Sequence, residues 1–222
     1  MHHLQQIFKD PISGLTHLGS ALFGVLGAAI LIWLSPAGLA RVAMVIYGIS
    51  LVLLFSASAT YHLVQTTSKR EEWLRKFDHI AIFLLIAGTY TPVCLVVLTG
   101  GWRWGLLIPV WGLAAAGGIF KLVWVRSPRW MSAGIYVVMG WLGVIGVAQL
   151  LRALPLAGLG WLLLGGLFYT GGAVIYATKR PNFLPGVFGF HELWHLFVSA
   201  GGAAHYIFVA AYILPFALKA AS

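Results

Sequence analysis

The sequence predicts an all-α integral membrane protein of seven transmembrane helices, with the N-terminus cytoplasmic and the C-terminus outside. Three observations carry this expectation. First, 60% of the 222 residues are hydrophobic and 9% are charged, against about 45–50% and about 25% in ordinary soluble domains. Second, the apolar residues fall into seven runs close to the ~20 residues needed to cross a bilayer. Third, the basic residues gather in the short segments between those runs, as topology signals do. A nucleic-acid surface would need them clustered on a soluble domain, so the net charge of +9 does not indicate nucleic acid as a partner.

The spans are expected over residues 15–35, 42–65, 78–98, 105–124, 133–151, 159–178 and 191–217. The first ends at Ser35-Pro36-Ala37-Gly38, where Pro and Gly punctuate the chain. Charged residues from Thr66 to Phe77 separate the second from the third, and Gly100 to Trp104 leads into the fourth. The later connectors are Arg126 to Arg129, Arg152 to Gly158 and Lys179 to Phe190. None is long enough to divide the chain, so residues 1–222 are expected to form one transmembrane domain. Glycines pair within the spans (Gly24 and Gly27, Gly117 and Gly118, Gly165 and Gly166, Gly171 and Gly172), which suits close helix approach in lipid. The lone cysteine, Cys94, excludes an intrachain disulfide and a cysteine-based zinc cluster, and reads as a small apolar residue in a span. Asp10 and Pro11 precede the first apolar run and no small-residue cleavage site follows it, so the first span is expected to stay in the mature protein.

Orientation follows from the basic residues. Ten of them (Lys9, Lys69, Arg70, Arg75, Lys76, Lys121, Arg126, Arg129, Lys179 and Arg180) fall on one side, and four (Arg41, Arg103, Arg152 and Lys219) on the other. The richer side is expected in the cytoplasm. Trp102, Trp104, Trp124, Trp130 and Trp161 lie near span ends, where an aromatic belt sits.

Polar residues converge on that same side. His191 and His195 are four apart, so a helix stacks them on one face about 6 Å apart along its axis. Span 2 ends Ser58-Ala-Thr-Tyr-His62, again with four-residue spacing, span 3 opens at Asp78-His79, and span 1 opens at Thr16-His17. His62, Asp78, His191, His195 and His17 therefore share the cytoplasmic half, and the outer half carries almost nothing ionisable. An ionisable residue inside a span is costly and points to function. Each also has a plainer reading. His62 and His191 fit an interfacial depth, Asp78 fits a helix N-cap, and His205, near mid-membrane, fits either a proton relay or a packed, hydrogen-bonded group. His79 and Glu192 are expected to face away from the site.

Three neutral imidazoles, His62, His191 and His195, leave a fourth tetrahedral position open, the catalytic rather than the structural arrangement for zinc. Zinc is the expected metal because imidazole suits it and no thiolate is available, although the ligands alone leave iron, nickel and copper open. Zinc lowers the pKa of a bound water to about 7. Asp78 could hold that water and accept its proton, and Ser58, one turn from His62, could bond the water or a substrate oxygen. A membrane lipid is the substrate such a site would meet.

These residues resemble the haemolysin-III-related, bacterial-type members of the progestin and adipoQ receptor family. The resemblance rests on three blocks: Asp10-Pro-Ile-Ser13-Gly-Leu-Thr16-His17, then Ser58-x-x-x-His62 followed by Asp78, and then His191-x-x-x-His195. In the first block Asp10 stands where the family has Glu and Ser13 where it has Asn, so no catalytic role is carried onto it. The resemblance implies a seven-helix fold with zinc near the cytoplasmic face, His62, His191 and His195 as ligands, and Ser58 and Asp78 beside the water. It implies lipid amide hydrolysis of the ceramidase type as the activity of the receptor members, and haemolysis as the namesake of the short members.

Two functions follow as expectations. One is a zinc-dependent hydrolase of lipid amide or ester bonds at the cytoplasmic leaflet of the plasma membrane. The other is a non-enzymatic sensor, regulator or haemolysin-like pore-former in which zinc is structural. A transporter is disfavoured, since the outer half offers no charged path.

Overall fold

The computed structural model describes residues 6–184 and 187–221, and among them seven helices are long and apolar enough to cross a membrane. These are α1 (Pro11–Leu34), α2 (Leu39–Leu63), α3 (Ser68–Val97), α4 (Gly100–Val123), α5 (Arg129–Ala153), α6 (Leu156–Thr178) and α7 (Phe190–Ala221). Short connections make neighbours antiparallel. α1 packs on α2, α2 on α3 and α3 on α4, while α5 packs on α6, α6 on α7 and α7 back on α1. α3 is the most enclosed of the seven. The protein is thus a multi-pass membrane protein. The ends of α2, α4 and α6 and the starts of α1, α3, α5 and α7 share one end of the bundle, which holds His17, His62, His191 and His195.

Several helices begin earlier than hydropathy implies. α1 starts at Pro11, where the ring fixes a helical φ and the missing N–H is one that a first turn would leave unbonded anyway. α3 starts at Ser68, ten residues before the expected 78. Its first turns, Ser-Lys-Arg-Glu-Glu-Trp-Leu-Arg-Lys-Phe, are rich in helix formers, and the Glu72 carboxylate lies 3.5 Å from Lys76 Nζ one turn on. Hydropathy detects only the part that lipid must surround, so this charged extension reads as a connector. Asp78 is consequently no N-cap: it sits in the third turn of an established helix and is buried.

Three spans depart from regular α geometry. α3 runs through Pro92 into a π-helical turn at Val93–Val97, an adjustment suited to a residue that cannot donate a backbone bond. α7 has a π turn at Val209–Ile213, which touches the first. α5 narrows to a 3₁₀ segment at Leu142–Gly146. There the Tyr90 hydroxyl of α3 accepts the Gly143 N–H at 2.7 Å and lies 2.6 Å from the Gly140 carbonyl and 3.0 Å from that of Met139, to which it donates in turn. One hydroxyl thus serves the backbone groups that the break exposes.

Lipid is as apolar as leucine, so the bundle is held by close packing rather than by exclusion of water. Tyr47, Phe83, Phe208, Leu31 and Met44 are fully enclosed, while Phe23, Trp33, Val123 and Leu156 face outward. Small residues permit the tightest approaches. A Cβ at Gly48 would overlap Ala28 of α1, and one at Gly165 would overlap the His205 ring of α7. That fit lets His205 donate from Nε2 to the Leu162 carbonyl at 3.1 Å and set its ring edge-on to Tyr169. His205 is a packed, hydrogen-bonded residue away from the other histidines.

Candidate metal centre

Two helices supply the centre. On α7, the four-residue spacing brings His191 Nε2 and His195 Nε2 to 3.3 Å. α2 runs antiparallel to α7 and offers His62 from its last turn, its ring centroid 4.6 Å from that of His195 and 5.0 Å from that of His191. One ligand nitrogen from each of the three lies within 4.8 Å of the other two. His195 and His62 are buried and His191 is partly exposed, so the cluster opens toward the bundle end rather than toward mid-membrane.

The N-terminal segment holds His62 in place. Asp10 N–H donates to the His62 carbonyl at 2.8 Å and Lys9 N–H to that of Leu63 at 3.4 Å. Lys9 Nζ lies 3.7 Å above the Tyr61 ring and 2.9 Å from Glu71 of α3. This anchoring sets the Asp10 carboxylate 3.0 Å from His62 Nδ1. A carboxylate only accepts, so Nδ1 carries the hydrogen and Nε2 of the neutral ring keeps its lone pair. Partial burial alone would raise the pKa of Asp10, but the hydrogen bond from His62 and the charge of Lys9 bring it below the usual carboxylate value. Sequence reasoning left Asp10 without a role because it departs from the family's Glu. The available signal was chemical: the departure keeps a carboxylate.

His17 of α1 is fully buried against the cluster, its ring centroid 4.0 Å from that of His195 and 5.0 Å from that of Phe55. Its Nε2 lies 3.3 Å from the His195 carbonyl and must be the donor to it, which steadies the backbone of His195. Asp78 is 3% exposed and lies 3.5 Å from His79 Nδ1. Ser58 is buried on the His62 face of α2, one turn away. Glu192 turns back to accept the Gly189 N–H at 2.8 Å, closing the first turn of α7, and so faces away from the centre. All five carboxylates of the chain lie at this end of the bundle.

The His191–His195 pair has the spacing of two ligands on one transition-metal ion, and the His62 nitrogen completes a set within 4.8 Å. A tetrahedral ion with metal–nitrogen bonds of about 2.0–2.1 Å holds two nitrogens about 3.3–3.4 Å apart, the separation found between His191 and His195. The carboxylate behind His62 is the kind of outer partner that orients a ligating imidazole. Three imidazole nitrogens from α2 and α7 can bind a cation, with Ser58 one turn from His62 on α2 and Asp78 on α3 at the same end of the bundle.

The chain is similar to known proteins along most of its length. The chain is 37% identical over 219 residues to "Hemolysin-3" of Bacillus cereus, covering 97% of each chain. It is 40% identical over 171 residues to "Hemolysin-3 homolog" of Bacillus subtilis (strain 168), covering 77% of each. The human "Monocyte to macrophage differentiation factor" is 28% identical over 206 residues, which cover 89% of this chain and 82% of the human one. The model of the family described as "Haemolysin-III related" matches residues 5–206, from before Asp10 to beyond His205. On that match and those identities, the chain belongs to the haemolysin-III-related family.

Proposed function

We propose that the protein is a zinc-dependent hydrolase of lipid amide or ester bonds in the plasma membrane. Its N-terminus and metal centre lie at the cytoplasmic leaflet. The observation that carries this reading is the convergence of His62, His191 and His195 within 4.8 Å of one another, at the end of the bundle that also buries the Asp78 carboxylate and the Ser58 hydroxyl. A structural ion would need no such neighbours. The surplus of basic residues at the same end supports the orientation, and the bacterial relatives support the plasma membrane.

When bound, zinc would supply Lewis acidity toward a carbonyl and acidify a water near neutral pH. The protein's own groups do the rest. Asp10 and His17 hold the ligands in place, Asp78 takes and returns a proton, and Ser58 offers a hydrogen bond to the substrate's carbonyl oxygen. The buried side chains of His62, His195 and Asp78 lie where low polarity strengthens each of these interactions.

The test is turnover of acyl amides and esters by purified protein, wild type beside Asp78→Asn. Asp78→Asn should retain zinc and lose at least about a hundredfold in turnover, the range for a general base. Zinc retained together with full turnover would remove Asp78 from the mechanism. If no lipid is consumed, the alternative is a non-enzymatic sensor, regulator or pore-former with a structural metal, which the names of the Bacillus relatives favour.

A further inference from the structure

We propose a second site, at the end of the bundle opposite the metal centre: the crevice between α4 and α5 holds an anionic phospholipid, one acyl chain in an apolar groove and its phosphate on Arg152. α4 and α5 follow each other in the chain, yet they approach each other mainly at the 3₁₀ segment Leu142–Gly146. Beside that contact lies a cavity of about 620 Å³, lined by Gly101, Gly105 and Pro109 of α4 and by Leu142, Ile145 and Gly146 of α5. Apart from Trp102, no side chain that lines it carries a polar atom.

The glycines explain the space. In a span a glycine usually lets a neighbour approach, as Gly48, Gly117 and Gly165 do here. Gly101 and Gly105, four apart and so on one face of α4, do not: a Cβ at either would meet nothing within 4 Å. They recess the wall of a groove that the described chain does not fill. From Gly101 to Val110 the groove follows about 13 Å of α4, close to half of the ~30 Å hydrocarbon core. That is the depth of one leaflet, which is the reach of an acyl chain.

A second cavity, about 190 Å³, adjoins the first at Trp102, which lines both. Its lining changes character and includes Thr99, Gln149 and Arg152. None of these three side chains has a hydrogen bond or ion pair among the described residues. No carboxylate balances Arg152 either, because Asp10, Glu71, Glu72, Asp78 and Glu192 all lie at the metal end. Of the other arginines at this end, Arg41 donates to the Ser35 carbonyl and Arg103 to that of Leu98. Arg152 keeps its whole fork of donors, which matches a phosphate bidentately. An end with cations and no carboxylates favours an anionic headgroup over a zwitterionic one. Trp102 and Trp104, 45% and 50% exposed, put the polar cavity at headgroup level, with the groove below it in hydrocarbon. A phospholipid would fill both cavities at once and join the start of α4 to the end of α5.

The experiment uses the purified chain in maltoside micelles and measures retained ligand by native mass spectrometry during titration with phosphatidylglycerol, phosphatidylcholine or inorganic phosphate. Phosphatidylglycerol should bind saturably and more tightly than phosphatidylcholine, and inorganic phosphate should not be retained. Arg152→Gln should weaken phosphatidylglycerol binding by about tenfold or more, the equivalent of one charge-assisted hydrogen bond, with Arg152→Lys retaining part of it. Gly105→Phe places a ring in the groove and should weaken binding by a similar factor. Both positions are exposed, so the variants should keep the helical fold, which circular dichroism checks. Neither touches the metal centre, so a loss in both locates the lipid at this end. Equal affinity for the two lipids, retention of inorganic phosphate, or undiminished phosphatidylglycerol binding in folded Gly105→Phe or Arg152→Gln would each overturn the proposal.

Discussion

Removing the carboxylate of Asp10 should weaken metal binding without removing any ligand. Asp10 accepts from His62 Nδ1 at 3.0 Å, and that bond sets both the tautomer and the ring orientation of His62. Outer-sphere partners of this kind are typically worth about 10–100-fold in metal affinity. The Asp10 side chain is 40% exposed, so water screens its charge and the lower end applies: about tenfold, or about 1.4 kcal/mol. The backbone bond from Asp10 N–H to the His62 carbonyl survives the substitution, so His62 should stay near the other two histidines. The assay is competition for zinc against a chelator of known affinity in detergent at neutral pH, with circular dichroism confirming the helical fold. Asp10→Ala should lose about tenfold, and Asp10→Asn, which keeps an oxygen acceptor, should fall between it and wild type. A folded Asp10→Ala that binds zinc as tightly as wild type would refute the reasoning, because His62 would then be oriented by packing alone.

Other perturbations test the bundle. Tyr90→Phe removes the hydroxyl that accepts from Gly143 N–H and donates to the Gly140 and Met139 carbonyls. It should cost about 1–3 kcal/mol of stability and speed amide exchange around residues 140–146, whereas unchanged exchange there would show that the 3₁₀ segment supports itself. Gly48→Val would drive a side chain into Ala28. It should lower the thermal midpoint by the equivalent of about 1–3 kcal/mol, and an unshifted midpoint would mean that α1 and α2 are less tightly apposed than described.

The fold was legible because bilayer thickness imposes a length and a composition on every span, and all seven runs meet both. Helix ends were less legible because hydropathy responds to lipid, not to helicity. The extension Ser68–Phe77 is helical by propensity and ion pairing, yet it looks like any charged connector. The π turns at Val93–Val97 and Val209–Ile213 arise from tertiary packing and leave only Pro92 as a local trace. At the centre, the spacing of His191 and His195 dictated their meeting, and alternating topology placed His62 at the same end. Asp10 was missed because its contact depends on how a segment preceding the first span folds back over the end of α2, which no periodicity encodes. Lys121 was read only as a topology signal, because nothing in the sequence shows that its ammonium turns inward to Ser127 and Ser132 rather than out toward water.

Metal content by elemental analysis of detergent-purified protein, prepared without chelators, tests the central claim most directly. Wild type should carry about one zinc per chain, as a three-imidazole site with an open fourth position does. A folded His191→Ala/His195→Ala double variant should carry essentially none. Wild type without metal, or a double variant that retains it, would contradict the account and leave the histidines at this end of the bundle as hydrogen-bonded packing groups.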